Sequence, residues 1–388
     1  MSIKGKGTSK TMKADSSTVR VINQRSILKT IYENDGISKA DLATKLRLSK
    51  PSVSRNVYEL IEIGIVKEQG EGESTKSGGR KPTRLCFNKD YQYIVSVDIS
   101  MKYPICAVGD LKGNLLKLSK VNISRSAQAE QKRQTIYEEL NKLLVELSIP
   151  SEKLGLIVIS QPGQIGADNE VIYIDSLHHP WTEIGLKEHL QESFNTPVLR
   201  RNEVQMAALG EMTMGDAKQY YSLIYVACGI GLGSSIIYKG ELFQGENYGA
   251  GELGAFLMTD GRRLGQVVSM DGLLEHISGI CNKVMDFEEV VEKSLADDAL
   301  VNKGLKDIGH ILGQRIYNCC IMMGIPTVIF GGDYLKLGPA FIEGIEETMN
   351  QSFFPTKLTI QKSSLHEAAG IYGTFVIAKD TILNNMIV

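Results

Sequence analysis

Two kinds of hydrophobic pattern divide the chain. From residue 19 to about 61, apolar residues recur at helical spacing. Beyond Tyr93, short continuous apolar runs alternate with longer helical stretches and several end on glycine. In the first part Val19, Ile22, Ile27, Leu28 and Ile31 predict one helix, stopped by Asn34-Asp35-Gly36. Ser38 is placed to cap a second helix, with Asp41 in the capping-box position and Leu42, Ala43 and Leu46 on the inner face. After Arg47-Leu48, Ser49 caps a third helix: Pro51 suits its first turn, and Val53, Val57, Leu60 and Ile61 form its buried stripe. Short apolar runs at 65–66 and 85–87 then bracket a tip rich in glycine and charge, the pattern of a hairpin.

The second part reads as strands interleaved with helices. Tyr93-Ile94-Val95-Ser96-Val97-Asp98-Ile99 predicts a buried strand, as do Ile105-Cys106-Ala107-Val108 and Leu156-Ile157-Val158-Ile159. Helical spacing covers 127–147 and 186–194. Later strands run into glycine at Gly229-Ile230-Gly231-Leu232-Gly233 and Gly331-Gly332-Asp333. This is an α/β body, and the repeated strand-to-glycine junctions predict two related lobes around a cleft.

Composition narrows the function. The chain has 388 residues, 43% apolar and 23% charged, enough to bury a core in two or three domains and unlike a disordered chain. No apolar run is long enough for a bilayer, and the first 15 residues lack the apolar stretch of a secretory signal. Six cysteines, none in a CxxC pair, fit a reducing compartment, so the expected location is cytoplasmic with no membrane partner. The net charge of −2 hides an asymmetry: residues 1–90 carry 18 basic and 10 acidic side chains, the remainder 25 and 35. A basic head on an acidic body points to a polyanion-binding module. The third helix offers Ser49, Lys50, Ser52, Ser54, Arg55 and Asn56 to a major groove, and the hairpin tip carries Gly78-Gly79-Arg80-Lys81 for phosphate or minor-groove contact. Helix-turn-helix, basic wing and positive charge together predict DNA binding.

Over nearly its whole length the chain resembles the ROK family of repressors and sugar kinases, in its winged-helix regulator form of the xylose-repressor type. The resemblance rests on Ser52-Val53-Ser54, Gly78-Gly79-Arg80-Lys81-Pro82, Asp98 with Asp110-Leu111-Lys112-Gly113, Pro180-Trp181, Asn202-Glu203 with Ala207-Ala208-Leu209-Gly210-Glu211, Gly229-Ile230-Gly231 and Gly249-Ala250-Gly251-Glu252-Leu253-Gly254. It implies an actin/hexokinase-like two-lobed body preceded by an α+β winged helix-turn-helix domain. The expected divisions are a disordered basic tail over 1–17, the DNA-binding domain over 18–88 and a first lobe over 89–200, completed by a C-terminal helix at 367–388. A second lobe over 201–366 is expected to mediate assembly as homodimer or tetramer. Two copies of the head would then read a pseudo-palindromic operator.

Departures from the family's kinases predict a body without catalysis or cofactor. Where kinases carry Asp-x-Gly-Gly-Thr for phosphate, this chain has Asp98-Ile99-Ser100-Met101-Lys102, and Met101 is expected to fill nucleotide space. Where they carry Asn-Asp, with Asp as general base, it has Asn202-Glu203, which displaces the carboxylate by roughly 1–1.5 Å. The family's zinc-binding His and cysteines are also missing: Ala255 follows Gly254, and no cysteine lies between Cys228 and Cys281, so no metal is expected. Asn202, Glu203 and Glu252 remain as a degenerate sugar-binding set, and each also reads as an ordinary hydrogen-bonding residue. Three roles stay open: a repressor with a sugar effector; an antirepressor acting through a protein partner such as another repressor, as a ROK homologue does in staphylococcal methicillin resistance; and a sugar kinase, which Ser100, Met101 and Glu203 argue against.

Overall fold

The computed structural model describes residues 16–71, 83–100, 103–124, 126–174, 184–350 and 357–386. They fall into two compact units, one of residues 1–92 with 380–388, the other of 93–379.

The first unit holds α1 (Ser16–Glu33), β1 (Ile37–Ser38), α2 (Lys39–Leu46), α3 (Lys50–Ile63), β2 (Val66–Glu71) and β3 (Thr83–Phe87). Gly36 turns α1 into β1 in the left-handed region, at φ 84°. The Ser38 hydroxyl accepts from the Asp41 amide at 3.1 Å while the Asp41 carboxylate accepts back from Ser38, the reciprocal cap that the sequence predicts. Arg47, left-handed at φ 53°, closes α2, and Ser49 caps α3 through the Ser52 amide. Ile27, Leu28, Ile31, Leu42, Val53, Val57, Leu60 and Leu85 are buried together as the head's core. Val19 and Ile22, in the same helical pattern, are exposed. The wing is antiparallel, Val66 opposite Phe87, with β1 added on the far side of β3.

The second unit contains two five-stranded sheets of the same plan. One is built from β4 (Tyr93–Asp98), β5 (Ile105–Asp110), β6 (Leu115–Lys120), β7 (Leu154–Gln161) and β10 (Val198–Asn202). Around its strands lie α4 (Ala129–Glu146), the small hairpin β8 (Gln164–Ile165) with β9 (Val171–Tyr173), and α5 (Leu186–Phe194). After α6 (Glu203–Thr213) come β11 (Leu223–Cys228), β12 (Leu232–Tyr238), β13 (Glu241–Leu242), α7 (Leu264–Val268), α8 (Met270–Cys281), α9 (Phe287–Leu295), α10 (Ala299–Met323), β14 (Thr327–Gly331), α11 (Ala340–Asn350), β15 (Thr359–Lys362) and α12 (Ala369–Met386). The sheet orders are β10-β7-β4-β5-β6 and β15-β14-β11-β12-β13. In each, an antiparallel three-stranded meander is extended by two parallel strands, so one lobe repeats the other. This is the two-lobed plan expected from the glycine-ended strands.

Helices α6 and α12 hold the lobes together. α6 buries Val204, Met206, Ala208 and Leu209 in one cluster with Leu223, Tyr225, Ile237 and Ile329 of the second sheet. On α12, the Thr374 hydroxyl donates to Ser96 Oγ at 2.7 Å, and the Phe375 ring occupies the space over Gly109 where a side chain would sit. Where the two helices meet, Gly210 lies against the Ala369 carbonyl and Gly373 against the Met206 carbonyl, closer than any side chain permits. Among the described residues no helix is long and apolar enough to cross a membrane.

Candidate DNA interface and interlobe cleft

In the head, α3 sorts the predicted groove residues by helical phase. Ser49, Lys50, Ser54 and Arg55 are exposed, and Ser52 is half-buried with its amide committed to the cap. Asn56 departs from expectation: it is 1% exposed, packed inward with Val53, Val57 and Leu60, and its side-chain amide donates to the Ser52 carbonyl at 2.8 Å. Residues three and four apart share a helix face, so the spacing 53, 56, 57, 60 itself places Asn56 inside. The outward face instead continues to Tyr58, which is 60% exposed and was not singled out in the sequence. Arg80 and Lys81 lie outside the described residues.

In the body, a cleft of about 390 Å³ lies between the lobes, lined by Ser100, Gln164, Asn202, Glu203, Ser234, Glu252, Gln266 and Asp333 with glycines of the β11–β12 turn. It thus gathers all three predicted sugar contacts. Asn202 is also the N-cap of α6: its carbonyl oxygen accepts from the Gln205 amide at 2.9 Å, and its amide donates to the Gly163 carbonyl and to Glu203 Oε2, both at 3.0 Å. Burial, reinforced by the nearby Asp98 and Glu252 carboxylates, pushes the Glu203 carboxyl up to about 8. Asp98, buried at the end of β4, is also raised by burial; the Ser100 amide and hydroxyl, donating at 2.9 and 2.5 Å, pull it partly back.

Glu203 therefore enters the neutral range protonated. Its elevated carboxyl contributes stability below the ordinary value of 4.5, and that contribution is lost as pH rises towards 8. Glu203→Gln, neutral at every pH, is expected to match the native protein near about pH 4 and to unfold at a higher temperature near about pH 9. A gap in thermal midpoint that does not change with pH would contradict this.

The glycines of the β11–β12 turn differ in what stands opposite them. A side chain at Gly233 would meet Val204 at 2.5 Å, and one at Gly229 would meet the Asp333 carboxylate at 2.9 Å, whereas Gly231 faces open space. Two of the three glycines are needed for close packing, and the Asp333 carboxylate lines the same wall. Met101 lies outside the described residues, as do Pro180 and Trp181. Among the described residues no group of three or more His, Cys, Asp or Glu side chains is arranged to hold a metal ion. Glycines 249, 251 and 254 open no nucleotide-binding helix: Gly251, at φ 94°, packs under the Ser234 carbonyl, and a short 3₁₀ turn follows at Leu253–Ala255.

The ROK family model matches residues 94–381, and a winged helix-turn-helix DNA-binding model matches 22–67. The chain belongs to the ROK family. It is 26% identical over 384 residues to the xylose repressor of Bacillus subtilis, covering 96% of this chain and 98% of that one. A crystal structure of a ROK family transcriptional regulator, a homolog of the E. coli MLC protein, superposes with a TM-score of 0.76 at 19% identity, covering 95% and 98% of the two chains. The ROK hexokinase of Thermus thermophilus matches the fold with a TM-score of 0.59 at 19% identity, over 74% of this chain and 98% of its own. The ROK body is thus shared with sugar kinases, while the winged head in front of it is that of the family's DNA-binding repressors.

Proposed function

We propose that this protein is a cytoplasmic ROK repressor whose head, residues 18–88, grips an operator, and whose body reads an uncharged sugar without phosphorylating it. The observation that carries the reading is α3: capped at Ser49, it presents Lys50, Ser54 and Arg55 outward beside an antiparallel wing. Exposed short polar groups followed by an arginine suit base edges and phosphates. In a homodimer, or a tetramer built from dimers, two heads engage a pseudo-palindrome whose half-site spacing the body sets. A sugar that favours a lobe arrangement incompatible with that spacing releases the DNA by shifting populations.

The charge of the cleft favours a neutral ligand. Glu252 and Asp333 line it together with the protonated Glu203, amides and hydroxyls, and among the described lining residues there is no lysine or arginine. A sugar phosphate would meet carboxylates with no cation opposite them, whereas an uncharged sugar finds hydrogen-bond partners. The packing at Gly229 and Gly233 and Ser100 in the first loop support a body without kinase activity.

The direct experiment is selection of duplexes from random sequence by the full chain, followed by release of the selected duplex with neutral sugars and with their phosphates. Release by a neutral sugar alone supports this reading; release by a phosphate alone overturns it for the cleft. A second reading, an antirepressor that works through a protein partner as in staphylococcal methicillin-resistance control and takes no sugar, is favoured by Ala255, exposed on the cleft wall where the family's kinases place histidine. Recovery of another repressor with the protein from cells, without any selected duplex, would favour that role.

A further inference from the structure

We propose that Tyr58 is a specificity-determining residue of the recognition helix, and that its ring reads the C5-methyl group of a thymine in each operator half-site. The inference rests on the repressor reading above and adds a residue to it.

Helical phase comes first. Lys50, Pro51, Ser54, Arg55 and Tyr58 are all exposed and lie on one face of α3, opposite the buried Val53, Asn56, Val57 and Leu60. Any surface that receives Ser54 and Arg55 therefore meets Tyr58 one turn further along. With 60% of its surface exposed, Tyr58 lies outside the head's buried core. An aromatic side chain at an exposed position of a recognition surface supplies large contact area at low entropic cost.

The neighbouring charges decide what it contacts. The Glu62 carboxylate, four residues further along the helix, raises the pKa of the Tyr58 hydroxyl. Glu59, between them in sequence, is turned to Arg20 and Gln24 of α1. A phosphate oxygen at the Tyr58 hydroxyl would lie beside the Glu62 carboxylate, and like charges in proximity repel. With a carboxylate beside the hydroxyl, the ring edge is left as the recognising surface. In the major groove the apolar feature that differs between bases is the thymine methyl, which apolar side chains contact.

The test uses the full chain and the operator duplex it selects. Each thymine of the half-site is replaced in turn by deoxyuridine, which removes only the methyl. The native protein is expected to show one sensitive thymine per half-site, with affinity falling about fourfold for each buried methyl lost. In Tyr58→Ala that sensitivity disappears, with the thermal midpoint unchanged because the residue is exposed. In Tyr58→Phe, which keeps the ring and loses only the hydroxyl, the sensitivity persists. Equal sensitivity in the native protein and Tyr58→Ala at every thymine, or no sensitive thymine at all, overturns the inference while leaving the repressor reading intact. So does an affinity loss in Tyr58→Phe as large as in Tyr58→Ala, the signature of a phosphate contact. If no duplex is selected at all, the repressor reading falls and this inference with it.

Discussion

Alanine at Gly210 or Gly373 is expected to lower the stability of the body by about 3 kcal/mol or more, because the added methyl has no space to enter. The Cβ at Gly210 would fall on the Ala369 carbonyl and that at Gly373 on the Met206 carbonyl, both backbone atoms of a packed helix. Side chains can move aside; here one helix must move away from the other. That separation would also disturb the Thr374–Ser96 hydrogen bond and the loop before α12, where the buried Glu211 carboxylate accepts from the Ser363 and Ser364 hydroxyls and the Leu365 amide. Gly279→Ala in α8 is the matched control: nothing lies within 4 Å of its added methyl, and alanine there improves helix propensity. Scanning calorimetry should show a midpoint lower by roughly 6 °C or more for the crossing variants, and no loss for the control. Midpoints within a degree or so of the native protein would mean that the helices do not cross as closely as described.

The second large effect concerns the cleft. The double substitution Asn202→Ser with Glu252→Ala is expected to raise the sugar concentration needed for operator release on the order of a hundredfold or more, since each lost hydrogen bond to a charged or buried polar group is worth about 1.5–3 kcal/mol. Serine rather than alanine is chosen at residue 202 because Asn202 caps α6 through the Gln205 amide, and a serine hydroxyl preserves that cap while removing the amide that reaches Gly163 and Glu203. Operator affinity without sugar should be unchanged. Release at the native sugar concentration would remove the cleft from effector sensing and favour action through a protein partner.

Much of the architecture is legible in the sequence because local chemistry and global fold agree. Ser38 with Asp41, Gly36, and the strand ending on Asp98 each declare their role through one or two residues. Residue type is a poor guide where it disagrees with helical phase. Asn56 is polar, yet its phase with Val53, Val57 and Leu60 places it inside; Tyr58 is aromatic, yet its phase places it outside. The cleft glycines were ambiguous for another reason. Whether a glycine cradles phosphate or admits a neighbouring side chain depends on what stands opposite, and the partners Val204 and Asp333 are distant in sequence from Gly233 and Gly229. The duplicated sheet plan was also hidden in part, since β13 has two residues and β15 is a short, half-exposed strand.

The decisive measurement is the sequence content of duplexes retained by the full chain from a random pool at fixed salt, with footprints on both strands. A DNA-binding ROK repressor is expected to enrich a two-fold-related pair of half-sites and to protect both, with affinity falling as salt rises. Retention with no enriched motif, or no retention at low salt, would contradict an operator-reading head.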